Sequence, residues 1–292
     1  MLTVESIESK WEVTYGSMAG LRWMMDSQEL QFPVLALHGW LDNANSFVPL
    51  IPHLIETASE IIAIDLAGHG YSQHRAVGNH YYFLDYVFDV IDLVDKLGWK
   101  QFRLVGHSMG AGIASLVAAI IPERVNRLVL LDGIGPLSAH KDHCVSQLRK
   151  SIRMHQGYAS RVRKMTYLNW DTLIERRAKA GNISHQAAEL LVRRNARECD
   201  GEIIWIADRR LNIVSPMYLS EQQVLSFLSS IEAPVLLVKA KQGLLSQSAQ
   251  LGHRFSSVNQ LKVVELSGGH HLHMESPQRV AEYVSVFFKM ET

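Results

Sequence analysis

The residues with the clearest chemical potential are Gly106-His107-Ser108-Met109-Gly110, which follow the apolar run FRLV and open the small, apolar stretch AGIASLVAAII. A G-x-S-x-G sequence at a strand-to-helix junction reads as a nucleophile elbow. Gly106 and Gly110 let the backbone pass close to its neighbours, which leaves the Ser108 hydroxyl exposed at the carboxyl edge of its strand. A serine hydroxyl is a weak nucleophile at neutral pH and needs a base within hydrogen-bond reach. That base is expected to be His270, which follows Gly268-Gly269 beyond the last apolar run and before the final helix. An oxyanion formed by attack on an acyl carbon needs two N–H donors. One is expected from Met109 and the other from Trp40, behind Gly39 in the loop His38-Gly39-Trp40-Leu41-Asp42. His38 reads as a hydrogen-bonded structural residue. His271 and His273 are expected to pack or to face solvent, because no separate carboxylate or thiolate cluster completes a three-histidine metal site. Neither a metal nor an organic cofactor is expected.

Six short apolar runs must supply the edge on which these groups meet: PVLALHG (33–39), EIIAIDLAGHG (60–70), FRLVGHS (102–108), RLVLLDG (127–133), APVLLVKA (233–240) and LKVVELSGG (261–269). Strands that are apolar throughout suit a sheet covered on both faces. Upstream, Lys10–Tyr15 and Leu21–Met25 read as an antiparallel hairpin. Helical spacing marks Phe83–Leu97, with Asp85, Asp89, Asp92 and Asp95 expected on its solvated face, then Ala111–Ile121 and Val280–Met290. Alternating strand and helix predict an α/β fold with a mostly parallel, doubly wound sheet of eight strands. The rhythm breaks between Leu137 and Val224, where amphipathic pieces appear at His140–His155, Tyr158–Met165, Asp171–Ala180 and Ser184–Ala196. Ser220 and Gln223 have the spacing of a capping box.

Composition bounds the possibilities. The chain has 292 residues, 47% hydrophobic and 20% charged, with 29 Lys+Arg against 29 Asp+Glu. That balance gives no overall basic excess for a nucleic acid and no attraction to an anionic membrane. Two cysteines, Cys144 and Cys199, cannot build a disulfide framework and fit a reducing compartment. The start MLTVESIESKWEV lacks the basic and apolar regions of a signal peptide, and the longest apolar run, Ile113 to Ile121, is too short to span a bilayer. A cytoplasmic protein acting on a small molecule is expected.

The ordered motifs LHGW, DLAGHGYS, VGHSMGAG, LVLLDG and GGHHLHMESP resemble the α/β-hydrolase superfamily over nearly the whole chain. LHGWLDNANSF, Asp208-Arg209-Arg210-Leu211 with Ser215-Pro216, and VKAKQGLL are similar to its serine hydrolase-like branch. The HGW and GHSMG pair is also similar to small arylesterases and cofactor-free perhydrolases. The resemblance implies a Ser-acid-His triad whose acid usually follows the strand equivalent to APVLLVKA, yet Gly243 stands there and no carboxylate follows before Glu265. Asp132, ending RLVLLD at the same carboxyl edge, is the expected replacement, while Asp65 reads as a turn anchor.

Domain organisation follows as a hydrolase core over 1–136 and 227–292 with a mostly helical lid over 137–226. The lid holds 15 Lys+Arg and 9 Asp+Glu, a net +6, and the remainder holds 14 and 20, a net −6. Basic helix faces of this kind are usually solvated, though they could also draw acidic or CoA-linked substrates. Met154, Met165, Tyr167, Trp170, Trp205 and Met217 are expected to form the lid's own core. The function expected is hydrolysis of carboxylic esters with small to medium acyl groups. Thioesterase or perhydrolase activity on the same site, or a weakly hydrolytic ligand-binding role, are the alternatives.

Overall fold

A computed structural model describes residues 5–25, 32–159, 166–167, 169–247 and 251–290. Its frame is an eight-stranded sheet. The strands are β1 (Ile7–Val13), β2 (Gly16–Met24), β3 (Val34–Leu37), β4 (Glu60–Ile64), β5 (Phe102–His107) and β6 (Val125–Leu131). After a long interval come β10 (Val235–Gln242) and β11 (Leu261–Gly269). Their order across the sheet is β1-β2-β4-β3-β5-β6-β10-β11. The β1–β2 hairpin and the β2–β4 pair are antiparallel, and every later pairing is parallel. All six apolar runs contain strands, and both hairpin strands start earlier than the spacing predicted, at Ile7 and Gly16, and end slightly sooner, at Val13 and Met24.

Alternation along the central strands divides the core in two. Leu35, Leu37, Leu104, Leu128, Leu130 and Leu237 face one layer, with α1 (Asp85–Lys96), α2 (Met109–Ile120) and residues of α6 (Glu221–Ser229). Val34, Ala36, Val105, Val129, Leu131 and Leu236 face the other, with Phe47, Leu50 and the C-terminal α9 (Pro277–Lys289). Both faces are apolar because both are covered. The edge strands β1 and β11 are the exceptions, since nearly all of their residues keep some exposure.

One helix face differs from expectation. Asp89 is buried at 2% exposure rather than solvated, because the Arg75 guanidinium reaches it with both terminal nitrogens. Burial raises its carboxyl, and Arg75 opposes that rise.

Between β6 and β10 lie α3 (Cys144–Ala159), β7 (Thr166–Tyr167), α4 (Trp170–Gly181), α5 (His185–Asn195), β8 (Ala196–Cys199), β9 (Glu202–Trp205) and α6. The three strands form a small antiparallel sheet in the order β7-β9-β8, which the helical spacing did not reveal. Tyr167, Trp170 and Trp205 pack with Leu173, Ile174, Val192 and Ile203 as a separate small core. Met217 is not part of it, being 70% exposed. Met165, and most of the Tyr158–Met165 piece, lie outside the described residues. The Ser220–Gln223 capping box forms at the start of α6, with Gln223 Oε1 accepting from the Ser220 N–H at 2.8 Å. Among the described residues, no helix is long and apolar enough to cross a membrane.

Candidate active site

Ser108 sits between β5 and α2 with φ 53° and ψ −112°, a backbone conformation that costs a non-glycine residue about 1–3 kcal/mol and is held only by its surroundings. Its N–H donates to Leu131 O at 3.0 Å, and its carbonyl accepts from Ala111 and Gly112. The flanking glycines are required by close backbone approach. A Cβ on Gly106 would lie 2.4 Å from Gly110 O, and one on Gly110 would lie 2.1 Å from Leu37 O. The elbow is therefore wedged between β3 and β6, with the serine side chain at the carboxyl end of the sheet.

β6 ends at Leu131, and Asp132 turns away with φ 45°. Its carboxylate is buried, 1% exposed, and collects three hydrogen bonds. Ala240 N–H donates to Oδ1 at 3.1 Å, Leu244 N–H donates to Oδ2 at 2.8 Å, and His270 Nδ1 lies 2.6 Å from Oδ2. A Cβ on Gly243 would fall 2.1 Å from Asp132 Oδ2. The space that a side chain at 243 would take is thus filled by the carboxylate arriving from the neighbouring strand.

His270 follows β11, and its side chain keeps 18% exposure. Because a carboxylate only accepts, Nδ1 carries the proton in this contact, leaving Nε2 with the lone pair. Asp132 and His270 are thus brought together. Ser108 Oγ makes no hydrogen bond among the described residues, and its contact with His270 is not formed here.

Trp40 is 51% exposed, and its indole N–H donates to Leu211 O at 3.0 Å, tying the loop to the 3-10 turn Arg209–Asn212. Its backbone N–H has no partner among the described residues. Met109 opens α2, where a first-turn N–H has no helical acceptor. His38 is fully buried and wired into the loop: Leu66 N–H donates to Nε2 at 2.9 Å, so Nδ1–H donates to Gly39 O at 2.7 Å. Asp65 anchors its turn through the Ala44 and Tyr71 N–H groups and binds the Arg194 guanidinium at 2.9 Å.

Of the remaining histidines, His271 and His273 are packed in the interior rather than facing solvent, and Asp42 places beside His271 a carboxylate that the sequence spacing did not show. Asp42 Oδ2 lies 3.2 Å from His271 Nε2 and 3.5 Å from His107 Nδ1, and its Oδ1 accepts from Arg177 of α4 at 2.5 Å. His107 Nε2 donates to the backbone carbonyl of His270 at 3.0 Å. His273 packs on Phe47, with its Nε2 3.3 Å from Ser46 Oγ. Their sequence separations, 65 residues from Asp42 to His107 and 164 from His107 to His271, are why no local motif announced the cluster.

The family described as alpha/beta hydrolase fold matches residues 33–277. A serine hydrolase-like protein of Danio rerio is 33% identical, with 98% of this chain and 89% of that protein covered. A probable serine hydrolase of Drosophila melanogaster is 30% identical, with 97% and 89% covered. Among solved structures, a hypothetical protein from Pseudomonas aeruginosa PAO1 superimposes with a TM-score of 0.89 at 37% identity, covering 97% of this chain and 99% of that one. A thioesterase domain from the curacin biosynthetic pathway gives 0.82 at 25% identity, covering 96% and 99%. With its sheet order, its elbow and a profile match over most of its length, the chain belongs to the α/β-hydrolase fold family and is serine hydrolase-like.

Proposed function

We propose that the protein hydrolyses carboxylic esters through Ser108, His270 and Asp132. The observation that carries this reading is the 2.6 Å contact between His270 Nδ1 and Asp132 Oδ2, in the space that Gly243 leaves open. It fixes the imidazole so that Nε2 has the lone pair, the state a general base requires. Ser108 Oγ attacks the acyl carbon as its proton passes to His270 Nε2. The tetrahedral oxyanion is held by the N–H groups of Trp40 and Met109. Collapse expels the alcohol, which takes the proton back from His270. Water then attacks the acyl-enzyme with the same base, releasing the acid and restoring Ser108. Each step conserves protons between Ser108, His270, the alcohol and water, so these residues suffice for the cycle. The segment 137–226 serves as a lid over this edge, held to it by Arg177–Asp42 and by Asn43 and Asn45, whose amides donate to Leu191 O and Leu190 O at 2.8 Å each.

A fluorophosphonate probe tests the reading. Wild-type protein is expected to be labelled, and Ser108→Ala is not. Absence of labelling in the wild type, or labelling that survives the substitution, sinks it. p-Nitrophenyl esters of graded chain length then rank the acyl groups.

A second reading, thioester hydrolysis at the same site, is favoured by one specific feature. A cavity of about 890 Å³ lies along α3, lined in part by Arg149, Lys150, Arg153, Met154, Tyr158 and Ile213 and by none of Ser108, Asp132 or His270, with no acidic residue in its wall among the described residues. Phosphate-bearing acyl carriers match such a lining. If CoA thioesters are the better substrates, Arg149→Glu with Arg153→Glu raises their KM without changing that of a neutral ester.

A further inference from the structure

Beside the proposed triad lies the second group of acid and imidazole, and its protons do not balance. The His270 carbonyl can only accept, so His107 Nε2 carries a hydrogen. In a neutral ring, Nδ1 then has a lone pair, and it faces the Asp42 carboxylate across 3.5 Å, with no hydrogen-bond partner in a site at 0% exposure. Two acceptors confront each other.

Gly39 adds a second, independent observation. A Cβ there would lie 2.9 Å from Asp42 Oδ2 and 2.9 Å from His107 Nδ1, so the missing side chain leaves open the space beside both atoms. A zinc ion with ligands at about 2.0–2.2 Å in a tetrahedron spaces them about 3.3–3.6 Å apart. The two measured edges from Asp42 Oδ2 are 3.5 Å to His107 Nδ1 and 3.2 Å to His271 Nε2. The donor atoms of all three residues lie within 4.8 Å of one another. The outer contact also fits, because a metal-bound histidine characteristically donates its other N–H to a carbonyl or carboxylate. His107 already does so toward His270 O.

We propose that Asp42, His107 and His271 form a binding site for a divalent transition ion of the zinc class, with Arg177 as its competitor. The mixed imidazole and carboxylate set favours Zn²⁺, Co²⁺ or Ni²⁺ over Mg²⁺ or Ca²⁺, which prefer oxygen ligands throughout. Arg177 occupies Asp42 Oδ1 and lies 3.5 Å from His271 Nε2, so its guanidinium holds the cluster's positive charge until an ion replaces it. With 13% side-chain exposure and a place on α4, it can withdraw toward solvent. Binding does not depend on the ester-hydrolase reading, and the test below does not read turnover.

The full-length protein, dialysed against a chelator, is titrated with Co²⁺ and then with Zn²⁺. One Co²⁺ per chain is expected, with the intense visible bands of a low-coordinate site, and Zn²⁺ should abolish them stoichiometrically. His271→Gln and His107→Gln each weaken binding by at least about 100-fold, more than loss of an outer-shell partner does. Arg177→Gln tightens it by about tenfold, the effect of removing one nearby like charge. The surface groups His140, His143 and Asp142, or His80 with His155, are the competing sites, and they respond to none of these three changes. If the histidine variants do not fold, Zn²⁺ X-ray absorption on the wild type and Arg177→Gln decides. Two imidazole ligands together with tighter binding in Arg177→Gln support the site. No saturable binding, fewer than two imidazoles, or an affinity that ignores Arg177 overturns it.

Discussion

Two groups of aspartate and histidine lie side by side at the carboxyl edge of the sheet, and they differ in what surrounds them. Asp132 receives two backbone N–H groups and one imidazole N–H, and the His270 ring keeps 18% exposure. Asp42 receives a guanidinium and faces two imidazoles, all deeply buried, and Nδ1 of each ring lacks a hydrogen-bond partner. The first group has its protons assigned and one lone pair directed away from its acid. The second has more donors and acceptors than it can pair. The rings meet at a tilt between the two groups, His107 to His270 at 4.6 Å and His107 to His271 at 5.0 Å between centroids, so identical side chains differ through exposure and backbone contacts.

The largest expected effect breaks the first group. Asp132→Asn replaces an acceptor with an amide that can present a donor to Nδ1, favouring the wrong tautomer, and should lower kcat by about 10³–10⁴-fold. Steady-state kinetics with a p-nitrophenyl ester measures it, and a loss under tenfold would reject Asp132 as the positioning acid. Gly243→Ala comes next. Its methyl would sit 2.1 Å from Asp132 Oδ2, so the carboxylate must move, with an expected loss of at least about 100-fold, since a misplacement near 1 Å can have that effect. A sharper version transfers the acid. Asp132→Gly with Gly243→Asp should recover at least about tenfold over Asp132→Gly alone, because both positions reach the same volume.

That shared volume bears on what the sequence could reveal. The strands, elbow and capping box were legible because each is local: an apolar run, a pentapeptide, a four-residue spacing. The departure at Gly243 was visible as an absence, and Asp132 could be named because it ends the strand beside it. Asp42 gave no such signal. Its partners come from the end of β5, from the turn after β11 and from α4, and only closure of the fold brings them together. Asp89 misled for the related reason that Arg75, on the preceding loop, covers what helical spacing marks as an outer face. The β7-β9-β8 sheet escaped notice because its strands are two to four residues long, too short for an alternating pattern to show.

The second group is tested through its cation. Arg177→Gln leaves Asp42 buried with imidazoles alone. Breaking a fully buried pair costs about 3–5 kcal/mol, and with Arg177 at 13% exposure about 2 kcal/mol is expected. Urea denaturation measures it as a lowered midpoint at constant m-value. An unchanged midpoint would mean that His271 alone compensates the carboxylate, and that the contact from α4 is dispensable.

The smallest effect distinguishes these histidines from a third kind, whose protons are fully assigned in the neutral state. His38 accepts from Leu66 N–H, and His69 accepts from Leu41 N–H at 3.2 Å; protonation would set two donors against each other at both positions. Burial lowers His38 from 6.5 to about 4 and His69 from 6.5 to about 3. Well above pH 7 both are neutral whether folded or unfolded, so neither contributes to pH dependence there. As pH falls below 6.5 the unfolded chain gains protons that the folded chain refuses, and stability drops by up to about 1.4 kcal/mol per pH unit for each ring. The decline continues until pH reaches the folded values. Between pH 7 and pH 6 the two together should cost about 1.4 kcal/mol, read as a fall in urea midpoint. His38→Gln should remove that ring's own share, about 0.7 kcal/mol between pH 7 and pH 6, because a glutamine can offer the same acceptor without titrating, while the buried His107 and His273 keep theirs. If the slope is unchanged in the variant, the acid sensitivity belongs to the Asp42 cluster instead, and the unbalanced group rather than the balanced one governs it.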